Sequence, residues 1–129
     1  MRTYGLIGYP LEHSFSPGYF KNKFAREHIN AVYKLFPLED VSDFPKLIKE
    51  HPELFGLNVT IPYKEKVIPY LDSIQGDAFK IQAVNTIAFN RSNNASTLIG
   101  YNTDAYGFEK SIGSHLEAYH KKALILGTG

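Results

Sequence analysis

Apolar positions along this chain fall into two alternating kinds of segment. Short runs rich in β-branched and aromatic residues recur at 4–7, 31–36, 57–59, 84–89, 97–101 and 123–126, and each predicts a strand. Between several of them the apolar residues take helical spacing. Tyr19, Phe20, Phe24 and Ala25 do so within 18–28, and Phe44, Leu47 and Ile48 within 41–49. A longer helix is predicted over 103–120, where Ala105, Phe108, Ile112 and Leu116 share one stripe. This alternation implies βαβ units. The exception lies between 84 and 101, where two runs are joined only by Asn90-Arg91-Ser92-Asn93-Asn94, a polar turn too short for a crossover helix. The expected fold is α/β: a three-layer helix/sheet/helix domain with a mostly parallel sheet containing one antiparallel hairpin pair.

Composition narrows the function. At 129 residues, 43% of them hydrophobic, the chain can bury one ordinary core. Fourteen basic against thirteen acidic residues leave a net charge of +1, without the basic footprint that nucleic acid demands. The absence of cysteine excludes disulfides, thiolate nucleophiles and cysteine-ligated zinc, and a reducing compartment fits. The five histidines show no ligand spacing, so no metal is expected. No run approaches the roughly 20 apolar residues of a membrane span, and the cytoplasm is the expected location.

Four constellations carry candidate chemistry. In His13-Ser14-Phe15-Ser16-Pro17 an extended backbone would turn the hydroxyls of Ser14 and Ser16 to one side, beside a helix that Pro17 opens. Ser16 then serves either as a plain N-cap or, with Ser14, as a seat for a small carboxylate. In Asn58-Val59-Thr60-Ile61-Pro62-Tyr63-Lys64 a strand ends, and Lys64 falls near the start of a helical stretch through Tyr70. It is either a solvated surface lysine or a proton-exchanging amine that the helix dipole and desolvation favour in its neutral form. In Gly100-Tyr101-Asn102-Thr103-Asp104, Thr103 or Asp104 could cap the long helix, or Asp104 could pair with Lys64 across neighbouring strand ends. Asn85, in Gln82-Ala83-Val84-Asn85-Thr86, stands at another strand start, where a simple turn role is the alternative.

The chain closes on an apolar run and Gly127-Thr128-Gly129. A dinucleotide-binding unit begins this way, although a strand-end turn accounts for the same residues. The expectation is the front part of a longer protein, ending just inside a second domain.

Taken together, Gly8-Tyr9-Pro10 with His13-Ser14-Phe15-Ser16-Pro17, the 58–64 segment, Ala83-Val84-Asn85-Thr86, and Gly100 to Asp104 with Gly107 resemble the substrate-binding domain of the shikimate dehydrogenase family. The resemblance implies that 1–120 is a substrate-binding domain with its linking helix, and that 121–129 is the first strand and broken loop of an absent NADP-binding domain. It implies reversible NADP-dependent reduction of 3-dehydroshikimate to shikimate. On it Lys64 and Asp104 match the catalytic pair. Ser14 and Ser16 match the hydroxyls that hold the substrate carboxylate, and Asn58, Thr60 and Asn85 those that hold ring hydroxyls. Gly127, Thr128 and Gly129 match the start of the cofactor loop. The expected partner is this small molecule, with neither nucleic acid nor membrane, and the 121–129 strand is expected to associate with another copy or stay disordered. Two departures stand out: Phe20-Lys21 replaces a His-Asn pair, and Gln82 replaces a glycine. Alternatives are a quinate or aminoshikimate relative using NAD, and a module that binds a small carboxylate without catalysis.

Overall fold

A computed structural model describes residues 1–92 and 95–127, with 91, 92 and 95 described by their backbone alone. Six strands form one sheet: β1 (Arg2–Gly8), β2 (Ala31–Pro37), β3 (Leu54–Val59), β4 (Ser73–Ile74), β5 (Thr86–Ser92) and β6 (Ala95–Tyr101). Their order is β2-β1-β3-β5-β6-β4. The pairs β1–β2, β1–β3 and β4–β6 are parallel. Strand β5 runs against both its neighbours, so there are two antiparallel pairs rather than the single one expected. A hairpin strand set inside a sheet reverses direction relative to both flanks, and the short connection reveals only one of them. The strands also extend into the polar stretch that the sequence assigned to the turn, while Asn93 and Asn94 lie outside the described residues.

The α-helices are α1 (Ser16–Arg26), α2 (Phe44–Glu50), α3 (Asp77–Ile81) and α4 (Asp104–Gly113). They divide the sheet's two faces. Tyr4 and Tyr33, opposite each other in register, face α1, where Phe20 stacks on Tyr33 at 4.3 Å and Phe24 meets Tyr4 at 5.9 Å. Ile7, Phe36, Leu57, Val59 and Ile87 face the other way, burying against Phe44 and Leu47 of α2 and Ala78 of α3. The main core therefore lies on the α2 and α3 side. Gly5 and Gly100 are packing requirements of this sheet. A Cβ on Gly5 would stand 2.4 Å from Phe36, and one on Gly100 2.7 Å from both Leu71 and Val84.

Three expected elements differ. The 64–70 stretch is a run of turns closing in a 3₁₀ turn at Ile68–Tyr70, where Pro69 and the preceding Pro62 deny a regular helix. Helix α4 stops at Gly113 rather than at His120, because among the described residues its apolar stripe is only partly covered, with Ala105 and Ile112 half-buried. Phe108 is 66% exposed and Leu116 58%. Residues 121–127 are neither helix nor strand, and Leu124, Ile125 and Leu126 are 82–89% exposed, since a strand needs a neighbour with which to pair. Among the described residues no helix is long and apolar enough to cross a membrane.

Candidate active site

The carboxyl ends of β1, β3 and β6 meet the amino end of β5 along one edge of the sheet, where Ile7 pairs with Val59, Asn58 with Thr86 and Thr86 with Tyr101. The reversal of β5 is what brings Asn85 to this edge. Ligands of open α/β sheets collect beyond such ends. A cavity of about 470 Å³ opens there, and Ser14, Ser16, Asn58, Thr60, Lys64, Asn85 and Asp104 all line it. The structure thus brings together every candidate residue that the sequence drew from four separate segments.

Lys64 Nζ donates to Asp104 Oδ2 at 2.5 Å, joining residues forty apart in sequence. The side chains remain 35% and 54% exposed. Such an open pair contributes little to stability but stays within reach of a ligand. Lys64 is carried on the turn after β3, and no helix begins there, so the helix-dipole argument for it does not apply. Two bonds anchor that turn instead: the buried Tyr63 hydroxyl donates to Leu38 O at 2.6 Å, and Val84 N–H donates to Lys64 O at 2.7 Å.

Capping differs from the sequence expectation in both helices that reach the site. Helix α1 begins at Ser16 itself, with Phe15 at its N-cap in helical rather than extended conformation. Ser14 Oγ accepts from Ser16 N–H at 3.3 Å, so Ser14 rather than Ser16 satisfies the free donor. At α4 the cap comes from Asn102, whose Oδ1 accepts from Ala105 N–H at 3.1 Å. Asn102 Nδ2 also donates to Ala83 O at 3.0 Å, tying the start of α4 to the segment before β5. Asn85, 9% exposed, grips the neighbouring residue: its Oδ1 accepts from Thr103 N–H at 2.9 Å and its Nδ2 donates to Thr103 Oγ1 at 2.8 Å. Asp104 is therefore held by its predecessor's backbone.

Sequence reasoning passed over Asn102 and Thr103 as anchors because each bond joins segments about twenty residues apart. It also passed over Tyr33, whose hydroxyl donates to Asn58 Oδ1 at 2.8 Å. Gly8, which carries part of the family resemblance, has a packing role as well. A Cβ there would lie 2.4 Å from Thr60 Cγ2 and 2.9 Å from Ile61 O, so only glycine lets β1 approach the loop that carries Thr60.

Of the residues matched to a cofactor loop, Thr128 and Gly129 lie outside the described residues. Gly127 has φ of +106°, a conformation that favours glycine, and pairs with no strand. Among the described residues no group of three or more histidine or acidic side chains could hold a metal ion.

A family model described as the shikimate dehydrogenase substrate binding domain matches residues 6–87. The chain belongs to the shikimate dehydrogenase family. Members similar to it include the NADP(+) shikimate dehydrogenases of Halothermothrix orenii, 49% identical, and Pyrococcus abyssi, 40% identical. The matches cover 97% and 100% of this chain but 43% and 47% of those relatives. Shikimate dehydrogenase 1 of Peptoclostridium difficile, 39% identical, superposes with a TM-score of 0.79 over 89% of this chain and 43% of its own. The Thermus thermophilus enzyme solved in complex with shikimate, 29% identical, gives 0.76 over 88% and 42%. The chain thus spans less than half the length of these family members, and the matched domain contains six of the seven cavity residues named above, Asp104 lying beyond it.

Proposed function

We propose that this chain is the substrate-binding half of an NADP-dependent shikimate dehydrogenase that interconverts 3-dehydroshikimate and shikimate. The observation that carries the reading is the 2.5 Å contact between Lys64 and Asp104 on a cavity whose other walls offer alcohols and amides. NADP, when bound, supplies the hydride chemistry, and in this reading Gly127, Thr128 and Gly129 begin its loop. Reduction of a ketone leaves an oxygen that must gain a proton, and Lys64 Nζ is the donor at that oxygen. Asp104 Oδ2 holds the ammonium in place. Ser14 and Ser16, at the start of α1, receive the carboxylate. Asn85 spends one amide N–H on Thr103 and keeps a second for a ring oxygen.

Convergent polar groups of this kind reject wrong ligands strongly, because a poor fit leaves buried donors and acceptors unpaired. Residues 1–120 form the substrate domain with its linking helix, and 121–129 lead into a second domain. The exposed stripe of α4 and the exposed residues 124–126 support that division. The proposed location is the cytoplasm, which a cysteine-free sequence suits.

The test is initial-rate kinetics on the full-length protein with shikimate and NADP. Lys64→Ala is expected to lower kcat about a hundred- to ten-thousand-fold, the usual contribution of a positioned general acid, with KM nearly unchanged. Unchanged turnover in that variant removes Lys64 from the proton transfer and overturns the reading.

A further inference from the structure

Tyr33 and Phe20, on the α1 face of the sheet, form a device that the catalytic reading leaves unused. Tyr33, on β2, lies flat on Phe20 of α1, with centroids 4.3 Å apart and planes 9° from parallel. Neither residue lines the cavity. The Tyr33 hydroxyl nonetheless reaches one residue that does, donating to Asn58 Oδ1 at 2.8 Å. Burial pushes the phenol up to about 12, so Tyr33 remains a protonated donor at any working pH.

The consequence falls on Asn58. Its Nδ2 donates to Thr86 Oγ1 at 3.3 Å and to Asn85 O at 3.4 Å, which uses both amide protons. With Tyr33 occupying one lone pair of Oδ1, the capacity left to Asn58 is a single acceptor position. An amide so arranged suits a ligand hydroxyl that donates. The Tyr33 bond and the two Nδ2 bonds together set the amide plane, and loss of the Tyr33 hydroxyl leaves Oδ1 without the donor that fixes its remaining lone pair toward the cavity.

We infer that Tyr33 is a positioning residue for the substrate: its hydroxyl, donated to Asn58 on β3, fixes Asn58 as a hydrogen-bond acceptor toward a ring hydroxyl. This rests on the shikimate reading above. It also accounts for Phe20, the departure from the family pattern, as the flat support that sets the height of the Tyr33 ring.

The experiment is a double-mutant cycle on the full-length protein, reading kcat and KM for shikimate in Tyr33→Phe, Asn58→Ala and the double variant. Tyr33→Phe keeps the stack and removes only the hydroxyl. It is expected to raise KM about three- to tenfold, the effect of one net hydrogen bond, with kcat within about twofold. In the Asn58→Ala background the same change is expected to do nothing further, because the group it positions is gone. Phe20→Leu, which removes the support and leaves the hydroxyl, is expected to raise KM in the same direction. A merely structural role lowers the melting temperature and leaves KM alone, and that result overturns the inference. So does a Tyr33→Phe effect that persists unchanged in the Asn58→Ala background. If the unaltered protein oxidises no shikimate, the functional reading itself fails and the inference falls with it, an outcome distinct from either of these.

Discussion

Gln82 shows how a single position records a backbone demand. It caps α3 with φ of +59° and ψ of 37°, a left-handed conformation that costs a side-chain-bearing residue about 1–2 kcal/mol. Its Nε2 donates to Phe79 O at 2.6 Å, an exposed bond that returns part of that cost. Gln82→Gly is therefore expected to raise stability by about 0.5–1 kcal/mol, measured as the shift of the denaturant midpoint at constant slope. Tyr33 adds a pH dependence. Its folded pKa of about 12 lies above the ordinary 10, so the protonated form is favoured by folding. The stability this contributes is fully present below pH 10 and falls as pH climbs from 10 toward 12, where the unfolded chain's tyrosine ionises first. Thermal melts across that window are expected to show a smaller loss in Tyr33→Phe than in the parent chain.

Among the elements, the turn after β3 matters most, because it holds Lys64 without a helix to stiffen it. Tyr63 supplies the stiffness by burying its ring in the core and donating to Leu38 O. Tyr63→Phe keeps the ring but leaves that carbonyl without its donor, and is expected to destabilise the protein by about 1–3 kcal/mol in equilibrium unfolding. The strands β1, β2, β3, β5 and β6 were all foreseen from their apolar runs, with ends displaced by a few residues. The two-residue β4 and the five-residue α3 were not, being too short for either period to register. The stretch over 64–70 had helical spacing yet forms turns, since the pattern says nothing of the turns that packing imposes around Tyr63 and Val67.

The molecule as a whole presents two unfinished surfaces: the outer stripe of α4, and the apolar residues 124–126. Exposed apolar segments of this size seek partners. On the proposed reading they belong against a second domain that also brings the hydride donor. Residues 1–129 prepared alone are accordingly expected to produce no NADPH from shikimate while retaining measurable shikimate binding by calorimetry. They are further expected to self-associate in sedimentation, with removal of 121–129 restoring the monomer. Turnover by these residues alone contradicts the division of labour proposed here.

By itself the sequence determined the class of fold and the hairpin in the sheet, because periodicity is a property of neighbouring residues, while the seven candidate residues that line the cavity came from local motifs together with the family resemblance those motifs carry. Only the tertiary structure decided that β5 runs against both neighbours and so delivers Asn85 to the edge where Asn58, Lys64 and Asp104 gather. It alone decided that Asn102 rather than Thr103 caps α4, and that Tyr33 governs Asn58 from outside the cavity. The Asn102 cap spans only three residues, and there the path of the chain into α4 chose between competing local caps. The Tyr33–Asn58 bond joins residues 25 apart, and nothing in a local pattern specifies which distant donor will reach a given acceptor once the chain has packed.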